Sequence, residues 1–193
     1  TSVVIPDSVT SIGDWAFFEC LSLTNVTIGS SVTSIGDYAF HECYGLASVT
    51  IGNSVTSIGD GAFYSCTSLT NVYFAGNAPN VQPDAFDYDP VTVYYLPGTL
   101  GWSFTFAGRP TALWFLPSPL ILNQGPGFGV QSNQFSFTIS WATNVPVVVE
   151  AAANLTDPVW SPVSTNTLVG GTAYFTDPQP ANLSSRFYRL RSP

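Results

Sequence analysis

The stretch SVTSIGDWAFFEC (Ser8–Cys20) returns as SVTSIGDYAFHEC (Ser31–Cys43) and again as SVTSIGDGAFYSC (Ser54–Cys66), displaced by 23 residues each time. A unit this short cannot bury an apolar face alone, so successive units must stack, and the chain is constrained to a solenoid. Adding 23 aligns Val3, Val26, Val49 and Val72 in one column and Ile5, Ile28, Ile51 and Phe74 in another. Further columns hold Ile12, Ile35, Ile58 and Val81, then Phe17, Phe40, Phe63 and Phe86, then Leu23, Leu46 and Leu69. These are the expected core. Within a unit, LTNVTI alternates as a strand, and the short extended stretch SVTSI follows a turn at Gly29 and Ser30. The segment GD-x-AF-x-x-C sets Ala16, Phe17 and Cys20 at i, i+1, i+4 spacing, which predicts one helical turn.

The unit L-x-x-V-x-I…V-x-x-I-G-x-x-A-F-x-x-C resembles the BspA-like leucine-rich repeat of bacterial surface proteins. Three copies agree nearly letter for letter, and a fourth, NVQPDAF, is degraded. The stretch from Val93 to Trp114 resembles the segment that closes such arrays. Physically it should act as a cap, because the last repeat otherwise leaves an apolar face and an open strand edge in water. Prolines and small residues around Leu116–Pro119 read as a linker, dividing a capped solenoid at 1–115 from a second unit at 116–193. There the 23-residue period vanishes. FSFTISW alternates strictly, putting Phe135, Phe137, Ile139 and Trp141 on one face, and VPVVVEA, GTAYFTD and RFYRLR follow between turn residues. That pattern predicts a small β-sandwich, and the Trp141 and RFYRLR strands resemble fibronectin type III or immunoglobulin-like modules. The expected fold class is therefore mainly β: a short leucine-rich-repeat solenoid with a C-terminal cap, followed by a β-sandwich.

Charge narrows the partners. Only 8% of residues are charged, lysine is absent and the net charge is −8. No basic stripe is available for a polyanion, which makes nucleic acid a poor partner. No apolar run approaches the ~18 residues of a membrane helix. The chain opens inside a repeat, TSVVI matching TNVTI, so it reads as a piece of a longer protein and the lack of a signal peptide carries no weight. A surface rich in Ser, Thr, Asn and Gly fits an extracellular or bacterial cell-surface setting.

Chemistry is hard to assemble from these residues. His41 is the lone histidine, and its column mates Phe18 and Tyr64 mark a position that accepts large rings rather than requiring an imidazole. That leaves no catalytic residue to nominate. Cys20, Cys43 and Cys66 share a column without the paired spacing of a metal site. Column neighbours lie about 5 Å apart, so a disulfide is conceivable, but a ladder of buried thiols is the simpler expectation. Asp14, Asp37 and Asp60 also share a column, each just before the expected helical turn, where an N-capping role is favoured over a shared cation. The acidic group DAFDYD lacks the spacing of a calcium loop. No metal and no cofactor is expected. Asn25, Asn154 and Asn182 head glycosylation sequons, which the bacterial resemblance implies are mostly unmodified.

The invariant letters specify the fold, and a binding specificity would be written in the letters that change. On the side of the expected helical turns the changing positions read Trp15, Tyr38, Gly61; Phe18, His41, Tyr64; and Leu21, Tyr44, Thr67. On the strand side they read Ser2, Asn25, Ser48, Asn71 and Val4, Thr27, Thr50, Tyr73. Exposed rings bury area at little entropic cost, so the first patch is the favoured binding face, with Asn25, Asn71 and Tyr73 as its rival. The resemblance implies adhesion to a protein or glycan ligand at a cell surface or matrix. Two alternatives stand beside it: an accessory carbohydrate-binding module of a secreted polysaccharide-degrading enzyme, and an ice-binding surface on the Thr10, Thr33, Thr56 column and the Thr27, Thr50 column, the latter interrupted by Val4 and Tyr73.

Overall fold

A computed structural model describes residues 1–123, 127–181 and 185–192. Each repeat supplies one long and one short strand. These are β1 (Ser2–Ile5) and β2 (Ser11–Ile12), β3 (Asn25–Ile28) and β4 (Ser34–Ile35), β5 (Ser48–Ile51) and β6 (Ser57–Ile58), then β7 (Asn71–Phe74) and β8 (Asn80–Val81). All pair in parallel, in the register that the 23-residue period dictates: Val3 on Val26 on Val49 on Val72, and Ile12 on Ile35 on Ile58 on Val81. The result is a β-solenoid of about four turns. Its interior holds the aligned columns, with Phe40, Phe63 and Phe86 fully buried. Phe17, Phe40, Phe63 and Phe86 stack with ring planes within 6° and centroids 4.9 to 5.3 Å apart.

The predicted helical turn does not form; no helix is found among the described residues. In the first three repeats the segment after the short strand holds two left-handed residues four positions apart, Trp15 at φ 59° and Glu19 at 51°, then Tyr38 at 55° and Glu42 at 56°. Between them, every second N–H leaves the turn. Trp15, Phe17 and Glu19 donate to the carbonyls of Asp37, Ala39 and His41 in the next repeat, while Phe18 and Cys20 donate three residues back. A helix would waste those inter-repeat bonds, and the stacked neighbour supplies the acceptors that decide against it.

The aspartates are corrected in consequence, since there is no helix to cap. Asp14 Oδ1 accepts the N–H of Asp37 at 2.9 Å, and Asp37 Oδ1 accepts that of Asp60 at 2.8 Å, so each carboxylate bridges two repeats. This explains the glycines before Asp37 and Asp60, whereas Gly13, before Asp14, has open space around it. A Cβ on Gly36 would stand 2.4 Å from Asp14 Oδ1, and one on Gly59 2.2 Å from Asp37 Oδ1.

Past the last repeat, β9 (Thr92–Tyr95) continues the long-strand sheet on β7. The hairpin of β10 (Thr105–Phe106) and β11 (Arg109–Leu113) completes the order β1-β3-β5-β7-β9-β11-β10. Trp102 and Phe106 lie on Phe74 with centroids 5.0 and 5.4 Å away, covering the end of the apolar column.

Backbone contacts divide the chain into two compact units, Thr1–Trp114 and Phe115–Pro193. In the second, β12 (Leu120–Leu122), β13 (Gly129–Gln131) and β17 (Thr172–Pro180) pair with β14 (Gln134–Ser140). A second antiparallel sheet sets β15 (Pro146–Ala152) between β16 (Ser161–Thr167) and β18 (Phe187–Arg191). The alternation of β14 buries Phe137 and Ile139 in one apolar cluster with Val147, Val149, Leu168 and Phe175. Asn154 is exposed; the sequon at Asn182 lies outside the described residues.

Candidate functional site

These turns stack into a ridge along the solenoid, and their side chains form two columns of rings. In the first, Trp15 lies on Tyr38 with centroids 4.5 Å apart and planes 19° from parallel. Tyr38 in turn covers Gly61, where an added Cβ would sit 2.5 Å from Tyr38 Cε1. In the second, Phe18, His41 and Tyr64 stack at 5.5 and 5.2 Å, and Tyr88 meets Tyr64 edge to face at 5.1 Å. Trp15 and Tyr38 also approach His41 edge-on, so the imidazole stands among four rings. Trp15 keeps half its surface in solvent and Tyr88 keeps 71%.

Five of the residues singled out from the sequence, Trp15, Phe18, Tyr38, His41 and Tyr64, are thus brought together. Tyr44 stands exposed in the neighbouring column with Leu21. Hydrogen bonds to carboxylates raise the hydroxyl pKa of two ridge tyrosines, Tyr38 through Asp60 and Tyr44 through Glu42.

Asn25, Asn71 and Tyr73 belong elsewhere, on the outward face of the seven-stranded sheet. Each asparagine donates its side-chain N–H to the preceding threonine hydroxyl, at 3.1 Å for Asn25 and 3.0 Å for Asn71. Tyr73 stacks on Tyr94 at 5.0 Å and meets Trp114 at the same distance. Tyr94 and Trp114 escaped the sequence reading because the period slips here, Tyr73 pairing with a residue 21 positions on. Tyr88 keeps the 23-residue period behind Glu19, Glu42 and Ser65, and that signal was available.

The remaining candidates are structural. All three cysteines are free; Cys43 and Cys66 are buried, and their thiols donate to the carbonyls of Phe17 and Phe40 at 3.0 Å. The neighbouring Cys43 thiol, with burial, holds the Cys66 thiol well above its ordinary pKa. Thr33 and Thr56 hydroxyls are likewise occupied, each donating at 3.1 Å to a carbonyl in the preceding repeat. Among the described residues no group of three His, Cys, Asp or Glu side chains could hold a metal ion. Among them, too, no helix is long and apolar enough to cross a membrane.

Parallel β-ladders repeating every 23 residues, with side chains of one ridge varying over a constant core, define a leucine-rich-repeat solenoid. The family model for the BspA type Leucine rich repeat region matches residues 1–101 in six copies, and the chain belongs to that family. Two solved structures are similar. The T. pallidum leucine rich repeat protein TpLRR is 27% identical over 48% of this chain and 57% of its own, with a TM-score of 0.37. A leucine rich cell surface protein of Faecalibacterium prausnitzii A2-165 is 30% identical over 58% of this chain and 31% of its own, with a TM-score of 0.29. This chain thus spans less than two thirds of either. No curated protein matches it significantly.

Proposed function

We propose that the chain is a non-catalytic binding module acting outside the cell or at its surface, and that the ring-bearing ridge meets a protein ligand. The observation that carries the reading is the backbone under Trp15 and Tyr38. Both occupy the left-handed region, as does their column mate Gly61 at φ 52°. A side chain costs roughly 1–2 kcal/mol there and glycine nothing. Gly61 demonstrates that the repeat closes without a ring at this position, yet two of three copies accept the strain to hold large half-exposed aromatics. Strain kept where the fold does not need it points to function. Residues 116–193, on this reading, form a β-sandwich module that spaces or attaches the solenoid of 1–115.

The sugar-binding alternative is less well supported on this ridge. Stacking on a sugar needs a free ring face, and both faces of Tyr38 and of His41 are covered by neighbours. The test is a screen of immobilised extracellular proteins and glycans with the wild type and ridge variants. A ring central to an interface contributes about 2 kcal/mol or more. Trp15→Ala, Tyr38→Ala and Tyr64→Ala should therefore each weaken binding roughly 30-fold. Binding that survives the triple variant and is abolished by Tyr73→Ala would transfer the site to the strand face.

A further inference from the structure

The chain's charge is not evenly spread. Residues 1–114 carry nine acids and one arginine, while the rest carry three of each, so the whole net charge of −8 belongs to the solenoid. Eight of the nine acids there reach solvent, and seven of those eight lie in the ridge turns, from Asp14 and Glu19 in the first to Asp84 and Asp87 in the fourth. The solenoid's single arginine, Arg109, is already paired with Asp87 at 3.2 Å. Glu19 and Glu42 occupy the second left-handed position of their turns, one residue past Phe18 and His41. The ring columns are thus flanked along their length by carboxylates with no other solenoid arginine or lysine to neutralise them.

The inner rings, Tyr38 and His41, present edges and polar tips rather than faces, while Trp15, Phe18 and Tyr88 keep broad exposed apolar surface. Such a strip offers apolar contact for an aliphatic stem and acceptors for the cationic head beyond it. Arginine fits this best, since its guanidinium forks onto carboxylates while its aliphatic stem packs along the ring edges.

We propose that the ridge docks an arginine-bearing, net-basic segment of a protein partner. The proposal rests on the ridge being the binding face and adds the chemistry of what it takes. Opposite charge also makes encounter fast and salt-sensitive.

The experiment titrates the whole chain with a short arginine-rich peptide containing leucines, with its glutamate counterpart, and with a neutral peptide of the same length. The arginine peptide alone should bind. Its affinity should drop about tenfold or more as salt rises from roughly 0.05 to 0.5 M, where screening closes to a few ångströms. The variant Glu19→Gln should lose about twofold or more, and Asp157→Asn, the same one-charge change in the second unit, should lose nothing. Equal losses from both variants would reduce the effect to a long-range field and overturn docking at the ridge. No binding of the arginine peptide, or equal binding of the neutral one, would overturn the basic partner. If Trp15→Ala still abolishes capture of a ligand from the screen above, the ridge reading survives that result. If the arginine peptide binds but ignores Trp15→Ala and Tyr38→Ala, the ridge reading itself fails.

Discussion

Asp89 stands 23 residues past Cys66, in the thiol column, and the fourth repeat therefore puts a carboxyl where three others put a cysteine. It is 3% exposed, and neither oxygen has a hydrogen-bond partner. The Cys66 amide approaches without closing a bond, being committed to Phe63 O at 3.2 Å. Burial pushes the carboxyl pKa up to about 8 against an ordinary 3.8, with Arg109 opposing. The sign follows directly. Between those values the folded chain holds a proton that the unfolded chain has released, so stability is full below about pH 4 and falls as pH rises towards 8. At 1.36 kcal/mol per unit the loss approaches, as a ceiling, something on the order of 5 kcal/mol. Asp89→Cys restores the column's own residue, and Asp89→Asn removes the charge while keeping the shape. Urea unfolding of wild type and both variants between about pH 4 and pH 8 reads the effect. The solenoid transition can be recognised as the one that Phe63→Ala moves. The stability advantage of Asp89→Cys should be small near pH 4 and grow by several kcal/mol towards pH 8. Parallel curves would mean a folded-state carboxylate that ionises without penalty, and would refute the argument.

Trp15→Gly and Tyr38→Gly should leave solenoid stability within about 1 kcal/mol of wild type in the same assay. Relief of left-handed strain offsets lost ring stacking and added chain entropy. By contrast, Phe63→Ala, at a fully buried position, should cost about 3–5 kcal/mol. Gly61→Ala should drive the Tyr38 ring off its seat, measurable as a shift in Trp15 emission, since the new Cβ would fall 2.5 Å from Tyr38 Cε1. A thiol reagent applied to the native protein should reach half-buried Cys20 first and leave Cys43 and Cys66 unmodified until unfolding; rapid reaction of all three would contradict the packing.

The sequence by itself determined the columns. A fixed period of 23 names the register of every strand pair before any coordinate is known, because identical units stack only with like on like. It likewise marked Trp15, Tyr38, Phe18, His41 and Tyr64 as varying rings over an invariant core. It could not distinguish a helical turn from the left-handed turn that exists, since both bury Phe40 and Cys43 at the same spacing. The difference lies in where the N–H groups of residues 15, 17 and 19 go, and their acceptors sit in the next repeat. Local propensity argues against left-handed tryptophan and tyrosine, and only the hydrogen bonds of a stacked neighbour overcome that preference. The pairing of Tyr73 with Tyr94, the bridging role of Asp14 and the burial of Asp89 were decided the same way, by contacts between units rather than within one.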